Sequence, residues 1–156
     1  MSPQEKWMAR AVSISSENID KGGGPFGAVI VKDGQIVAEG ANQVTYTMDP
    51  TAHAEVVAIR MACQKLQTFD LTGCEIFTSC EPCPMCLSAI YWARISKIYF
   101  ANTKKDAARI QFDDDFIYQE IPKNPSQRKI PMIQMMHEAA LKVFETWEQK
   151  TDKIPY

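Results

Sequence analysis

The start of the chain combines a helical pattern of apolar positions with a strand-like one. Five residues recur at helical spacing near the N-terminus: Met8, Ala11, Val12, Ser15 and Ile19. This stripe ends in Gly22-Gly23-Gly24, a run that breaks helices. Strand-like runs at residues 28–31 and 35–38, both rich in apolar residues, then flank Asp33-Gly34. Because Asp-Gly between two apolar runs is a strong signal for a tight turn, the pattern predicts a helix followed by a β-hairpin.

The middle of the chain predicts two further helices that alternate with strands. Five apolar residues recur at helical spacing after Asp49-Pro50-Thr51, which supplies candidate caps and a proline: Ala52, Val56, Ile59, Cys63 and Leu66. A strand at residues 74–79, a helix from Cys83 and a strand at residues 97–100 follow. Strands joined through such a helix pair in parallel, in a sheet that is covered on both faces. No repeat or linker divides the chain, so residues 1–156 are expected to form a single domain.

The C-terminal part of the chain has a different pattern. Residues 113–118 lead into a proline-broken stretch at residues 121–125, which is expected to be extended. Pro131 is a favoured first-turn residue, and apolar residues recur at helical spacing after it: Ile133, Met136, Ala140, Phe144 and Trp147. Residues 131–156 are therefore predicted to form a helical segment. From pattern alone its apolar face is expected to pack on its own core, although the long arm before it also permits exchange with a second subunit.

Composition and charge limit the classes of protein to which the chain can belong. A chain of 156 residues with 46% hydrophobic residues can form one domain with one core. No apolar run has the length of a membrane span, and the N-terminus lacks the apolar region of a signal peptide, so we expect a cytoplasmic protein without a membrane partner. Five cysteines argue against a disulfide framework. A net charge of -2 predicts no nucleic-acid partner.

Three potential zinc ligands stand in two short motifs. His53 lies in Thr51-Ala52-His53-Ala54-Glu55, and two thiols lie in Cys80-Glu81-Pro82-Cys83-Pro84-Met85-Cys86. One imidazole and the thiolates of Cys83 and Cys86 leave the fourth tetrahedral position to water, which is the ligand count of a catalytic zinc site. Glu55, which is not itself a ligand, is then the candidate for moving protons between this water and a leaving amine. His-x-Glu followed by Pro-Cys-x-x-Cys is the signature of zinc-dependent nucleobase deaminases.

The spacing of these residues predicts where the helices begin. Residues two apart in a regular helix point about 200° apart, so His53 and Glu55 can share a site only if His53 sits at a helix entrance. Cys83 and Cys86 are expected to open a second helix, whose N-terminus favours thiolates. A structural zinc knuckle and a redox dithiol are the alternatives for this pair. Cys80 is a rival metal ligand, but its place at the end of a strand favours a buried structural thiol.

The metal motif and further segments along nearly the whole chain resemble those of the bacterial guanine deaminases, which have the cytidine-deaminase-like fold. The segments that carry this resemblance are Gly24-Pro25-Phe26-Gly27-Ala28, Asn42, residues 50–55, residues 78–86, residues 89–94, Phe112-Asp113-Asp114 and the closing Tyr156. The resemblance implies a three-layer α/β/α fold with a mixed central sheet and helices on both faces. It also implies one Zn²⁺ per subunit and the zinc-dependent hydrolysis of free guanine to xanthine and ammonia, with Glu55 as the proton shuttle.

The resemblance also implies the residues that bind the base. Asn42 and Asp114 would hydrogen-bond the polar rim of the purine, and Phe26 or Trp92 would pack against its faces. In such enzymes the C-terminal segment crosses to the other subunit of a homodimer, so Tyr156 would complete the site of the neighbour. Without the resemblance, more ordinary roles are expected: a turn residue for Asn42, a solvated acid for Asp114, core aromatics for Phe26 and Trp92, and a frayed chain end for Tyr156.

Two other functions fit parts of the pattern. A transfer-RNA adenosine deaminase shares the zinc motif but should carry a basic surface that holds phosphates, and the net charge of -2 counts against it. A non-catalytic zinc-binding interaction module has no need of Glu55. Cytosine, a nucleoside or a triazine analogue of guanine stays open as the substrate of a deaminase with this motif.

Overall fold

A mixed four-stranded sheet organises the first part of the molecule. The computed structural model describes residues 1–156, which divide into two compact units, Met1–Asp115 and Phe116–Tyr156. The sheet lies in the first unit and consists of β1 (Gly27–Lys32), β2 (Gln35–Ala41), β3 (Cys74–Cys80) and β4 (Lys97–Asn102). Its order is β2-β1-β3-β4, with β1 antiparallel to both neighbours and β3 parallel to β4. The predicted hairpin and the predicted parallel pair are both confirmed.

Helices cover both faces of this sheet. The helices of the first unit are α1 (Pro3–Asp20), α2 (Val44–Thr47), α3 (Ala54–Leu66), α4 (Pro84–Trp92) and α5 (Lys104–Arg109). Ala28 and Ile30 of β1 belong to a core cluster that includes buried residues of α3 and α4. The alternate residues Val29 and Val31 belong to a second cluster, together with buried residues of α1. Successive side chains of a strand point to opposite faces, so the predicted three-layer α/β/α arrangement is confirmed.

Gly40 in β2 allows the start of α3 to approach the sheet closely. A Cβ atom at this position would lie 2.2 Å from the carbonyl oxygen of Ala54 and 2.7 Å from the backbone nitrogen of Ala58. Both atoms belong to the backbone of α3, so a larger residue would require the helix itself to move. The absence of a side chain at Gly40 therefore fixes the first turns of α3 against β2.

The structure corrects two predictions in the C-terminal part of the chain. The stretch at residues 121–125 is not extended, because a turn follows α6 (Asp115–Glu120) and the Lys123 N–H donates to the carbonyl oxygen of Glu120 at 3.2 Å. The helix expected after Pro131 begins only at His137: α7 spans His137–Gln149. Met136 precedes it in the left-handed region with φ 54°, which interrupts any continuous helix from Pro131.

The second unit also contains a 3₁₀ turn at Pro125–Gln127. No residue of α7 is buried within the chain, and what packs against its apolar face stays a prediction. None of the helices has the length and apolar composition needed to cross a membrane.

Candidate active site

The candidate metal ligands lie where two helices begin. His53 is the N-cap of α3, with an extended backbone at φ -66° and ψ 155°. Cys83 is the N-cap of α4, with φ -67° and ψ 169°, and Pro84 occupies the first turn. An N-cap residue lies outside the regular helix, so the side chains of His53 and Glu55 are not constrained to opposite sides. The predicted helix entrances are both confirmed.

Three donor atoms converge at these helix starts. The Nδ1 atom of His53 lies 3.5 Å from the Sγ atoms of both Cys83 and Cys86. All three ligand atoms lie within 4.8 Å of one another. Tetrahedral zinc with bonds of about 2.3 Å to sulfur and 2.0–2.1 Å to nitrogen would separate these two atom types by about 3.6 Å. The donor set therefore fits zinc in both chemistry and spacing.

Hydrogen bonds within the cluster set its charge in the absence of a metal. The hydrogen bond from Cys86, followed by that from His53, lowers the pKa of Cys83 to about 4 against the opposing effect of burial. The bond to Cys83, together with burial, raises the pKa of Cys86. The two shifts have opposite directions because the two thiols are hydrogen-bonded to each other. The hydrogen bond with Cys83 also raises the pKa of His53, so metal binding must release protons from the cluster.

Glu55 is buried beside the three donors but is not one of them. Its side chain is 6% exposed, and this burial raises the pKa of its carboxyl. The Oγ1 atom of Thr78 lies 3.2 Å from Oε1 of Glu55 and 2.9 Å from the carbonyl oxygen of Cys80. A hydroxyl has one proton and accepting lone pairs. Thr78 can therefore donate to an ionised Glu55, or accept from a protonated Glu55 while donating to Cys80.

Thr78 lies next to the site and was not predicted from the sequence to be a functional residue. It is 2% exposed and stands in the middle of the strand β3, where threonine is common for reasons of packing alone. Its contact with Glu55 joins residues 23 positions apart in the chain. No local sequence signal could have identified this pair.

Cys80, the rival ligand, is directed away from the cluster. Its thiol donates to the carbonyl oxygen of Thr103 at 3.7 Å, and burial raises its pKa to about 11. The Cys80 sulfur is not among the three ligand atoms that lie within 4.8 Å of one another, which belong to His53, Cys83 and Cys86. The structure therefore supports the prediction of a buried structural thiol. All five cysteines of the chain are free of disulfides.

Three of the predicted substrate-binding residues, Asn42, Phe26 and Asp114, belong to the first unit, which also holds the metal donors. Asn42 is buried, and its Oδ1 atom accepts the backbone N–H of Val44 at 3.2 Å. Phe26 is half-buried and makes an edge-to-face contact with Phe112 at a centroid distance of 4.9 Å. The pKa of Asp114 is raised, first by burial and then also by the charge of Cys83, so this carboxyl stands within electrostatic reach of the thiolate.

The other two predicted residues occupy different places. Trp92 is the last residue of α4 and is 64% exposed. At 1.5 Å per residue it lies about 13 Å along the helix from Cys83, so the structure does not bring it to the cluster of its own chain. Tyr156 is the final residue of the second unit and is 75% exposed. The contacts of both side chains with a base stay predictions.

Residues 1–102 match the zinc-binding region of the cytidine and deoxycytidylate deaminases. The chain belongs to this deaminase family. It is 52% identical to the guanine deaminase of Bacillus subtilis (strain 168), over 97% of this chain and 98% of the relative. The X-ray structure of that enzyme superposes with a TM-score of 0.95. Zinc is the metal of the family, and the donor set of this deaminase fits it.

More distant relatives match a smaller share of the chain. A structure of the guanine deaminase from Nitrosomonas europaea superposes with a TM-score of 0.69 at 33% identity, covering 72% of this chain and 65% of that one. The tRNA-specific adenosine deaminase of Aquifex aeolicus (strain VF5) is 41% identical over 65% of this chain and 68% of the relative.

Replacing the proposed ligand thiols should remove the metal, whereas replacing the neighbouring thiol should not. We expect Cys83→Ser and Cys86→Ser to lower the zinc content from about one ion per chain to nearly none after dialysis against a weak chelator, because each removes one of three protein ligands. Cys80→Ser is the matched control and should keep about one ion per chain. Mass spectrometric metal analysis would measure the content. An equal loss of zinc in the Cys80 variant would show that the proposed ligand set is wrong.

Proposed function

We propose that this deaminase hydrolyses free guanine at C2, giving xanthine and ammonia. The observation that carries the proposal is that 52% identity to a guanine deaminase extends over 97% of the chain. Similarity to the tRNA-specific adenosine deaminase of Aquifex aeolicus covers only 102 residues. The net charge of -2 also offers no general attraction for the phosphates of a transfer RNA.

The three donors would hold the zinc ion through Nδ1 of His53 and the Sγ atoms of Cys83 and Cys86. Two thiolates and a neutral imidazole balance the charge of Zn²⁺. When bound, zinc lowers the pKa of a coordinated water so that it can act as a nucleophile near neutral pH. The fourth position is left to this water because the described donor cluster contains three ligand atoms.

Glu55 is proposed to move the protons of the reaction. Its carboxylate would accept a proton from the attacking water and then deliver one to the amino group that departs as ammonia. Burial raises the pKa of Glu55, which favours the protonated form that the carboxyl needs in order to act as a proton donor. The Thr78 hydroxyl can hydrogen-bond both protonation states of this carboxyl, so it would hold Glu55 in one place through both steps.

The base is proposed to bind between polar groups at its rim and an aromatic ring on its face. An aspartate accepts hydrogen bonds, which suits Asp114 to the N–H groups of guanine. Asn42 already accepts the Val44 N–H with its Oδ1 atom, and this contact orients its Nδ2 group as a donor to the base. Phe26, supported by the edge-to-face contact with Phe112, would pack against the purine.

Ammonia release from a panel of substrates tests the proposed function directly. The zinc-loaded enzyme would be assayed with guanine, adenine, cytosine, guanosine and a transfer RNA. We expect kcat/KM for guanine to exceed that for each other substrate by about 100-fold or more, because a site that hydrogen-bonds its substrate rejects analogues that lack the groups. Faster release from the transfer RNA would identify an adenosine deaminase instead.

Glu55→Gln should separate turnover from metal binding. The substitution keeps the shape of the side chain but removes its ability to carry protons, so we expect kcat to fall by about 10²- to 10⁴-fold. The zinc content should stay at the wild-type level because Glu55 is outside the donor cluster. Glu75→Gln is a matched control on β3, where Glu75 pairs with Lys97 at 3.7 Å on the surface. Wild-type turnover of the Glu55 variant, or loss of its zinc, would refute the assigned role.

Asp114→Ala should impair guanine binding, whereas the same change at its neighbour should not. Leaving the N–H groups of a buried base without acceptors costs about 1 to 3 kcal/mol, which corresponds to a decrease in kcat/KM of roughly 5- to 150-fold. Asp113→Ala is the matched control, since Asp113 is exposed. Both variants should keep their zinc. Equal kcat/KM in the two variants would show that Asp114 is a solvated surface acid that does not bind the base.

We further propose a homodimer in which the C-terminal segments are exchanged, so that Tyr156 of each chain completes the site of the other. Support comes from α7, which has no buried residue. Its large apolar side chains are exposed, with Phe144 at 73% and Val143 at 65%. Burying such a side chain is worth about 1.5 to 3 kcal/mol, so a covering surface on a second subunit would be favourable.

We also infer a cytoplasmic location, for which the five free thiols are the support.

Mixing two inactive chains would test the exchange. One chain carries Glu55→Gln, and the other ends before Thr151. If the tails are exchanged, a mixed dimer has one site with both an intact Glu55 and an intact tail from the partner. We expect such mixtures to regain up to about half of the wild-type activity per dimer. If each tail completes its own site, every site has one defect, and no activity returns although mass spectrometry detects mixed dimers.

A further inference from the structure

A buried asparagine connects two segments that carry proposed substrate-binding residues. Asn18, in the last turn of α1, is 1% exposed. Its Nδ2 group donates to the carbonyl oxygen of Gly24 at 2.8 Å and to the carbonyl oxygen of Asn42 at 2.7 Å. Its Oδ1 atom accepts from the hydroxyl of Tyr46 at 3.1 Å. The two side-chain N–H donors of Asn18 are therefore both used, on two different segments of the chain.

The loop after α1 is shaped around this side chain. The backbone carbonyl of Asn18 accepts the N–H of Gly23 at 3.0 Å. A Cβ atom at Gly23 would lie 2.3 Å from Nδ2 of Asn18 and 2.6 Å from the carbonyl oxygen of Asn42. Since no side chain fits there, the glycine at this position is a requirement of the contact between Asn18 and Asn42.

A second tie joins the same two segments. The hydroxyl of Thr45 donates to the carbonyl oxygen of Gly22 at 2.7 Å. Thr45 and Tyr46 both belong to α2, the short helix that begins two residues after Asn42. The loop at residues 22–26 is therefore held to residues 42–46 by side chains from α1 and α2, and not only by the strand pairing of β1 with β2.

We propose that Asn18 is a positioning residue of the reaction, which acts with Tyr46 to hold Asn42 and Phe26 in the arrangement that binds the base. The inference rests on the proposed function, because it takes Asn42 and Phe26 as groups that contact the substrate. Asn18 itself is buried, and it would act on substrate binding only through the backbone carbonyls of Gly24 and Asn42 that it binds.

This role has a specific kinetic signature. Without the two amide donors, the loop and the residues after β2 would spend only a fraction of their time in the arrangement that binds the base. The apparent dissociation constant rises as the inverse of that fraction. A change that weakens binding in the ground state and the transition state alike raises KM and leaves kcat unchanged. The metal donors and Glu55 lie on other elements, so the chemical step of the bound complex should continue at its normal rate.

Steady-state kinetics of Asn18→Ala would test the proposal, with zinc content measured on the same samples. The substrate would be whichever base in the panel the wild-type enzyme deaminates fastest, so a failure of the guanine assignment is seen separately in the wild type. We expect KM to rise about tenfold and kcat to stay within about twofold. Tyr46→Phe removes one hydrogen bond but leaves both amide donors, so its KM should rise only about two- to threefold. Ser13→Ala, an exposed change on the same helix, should leave both constants unchanged.

A purely structural role for Asn18 gives a different result. In that case kcat per chain would fall in proportion to the lost folded and zinc-bound fraction, with KM unchanged, and this outcome would overturn the proposal. Wild-type constants for Asn18→Ala would overturn it as well. If Asn18→Ala does not yield folded protein, Tyr46→Phe decides alone: a raised KM with unchanged kcat supports the proposal, and an unchanged KM rejects it.

A double-mutant cycle would identify the residue through which Asn18 acts. In an Asn42→Ala background the side chain that Asn18 positions is absent, so Asn18→Ala should raise KM by clearly less than the tenfold expected in the wild type, because changes that share one interaction are not additive. The full tenfold increase in that background would overturn the proposal that Asn18 acts by positioning Asn42.

Discussion

Three donor atoms meet because two helices begin at the same point above the sheet, and the chemistry of the site depends on this convergence. His53 and Cys83 are both N-caps with extended backbones, which lets their side chains turn toward a common centre. The contact of 3.5 Å between Nδ1 and each Sγ atom would be lost if either helix moved by one turn. The close approach of α3 to Gly40 and the short connection from the end of β3 at Cys80 to Cys83 hold the two helix starts in place.

Hydrogen-bond partners and burial together set the pKa values of the groups around this centre. Cys83 is readily ionised within the cluster, whereas burial raises the pKa of Glu55 and of the Cys80 thiol. Cys83 can thus bind a metal as a thiolate, Glu55 can exchange protons, and Cys80 stays a protonated thiol. These groups lie close together in the fold, and their opposite behaviour follows from their partners and not from their residue types.

The parts of the molecule in which chemistry restricts the residue type could be predicted from the sequence. Metal ligands must be histidine or cysteine at fixed spacing, and a tight hairpin favours Asp-Gly, so both could be recognised locally. Thr78 and Asn18 could not, because their partners are a side chain 23 positions away and backbone carbonyls 6 and 24 positions away. The start of α7 was also missed: apolar spacing continues through Met136, but the left-handed backbone of that residue separates the helix from Pro131.

Zinc K-edge X-ray absorption of the purified enzyme would test the open metal site most directly. Three protein ligands and a water predict two sulfur atoms at about 2.3 Å and two nitrogen or oxygen atoms at about 2.0–2.1 Å, with the multiple scattering of one imidazole. A shell of three sulfur atoms would mean that Cys80 closes the site, and a shell with two imidazoles would mean that another histidine does. Either closed shell would leave no position for water and would contradict a catalytic metal centre at His53, Cys83 and Cys86.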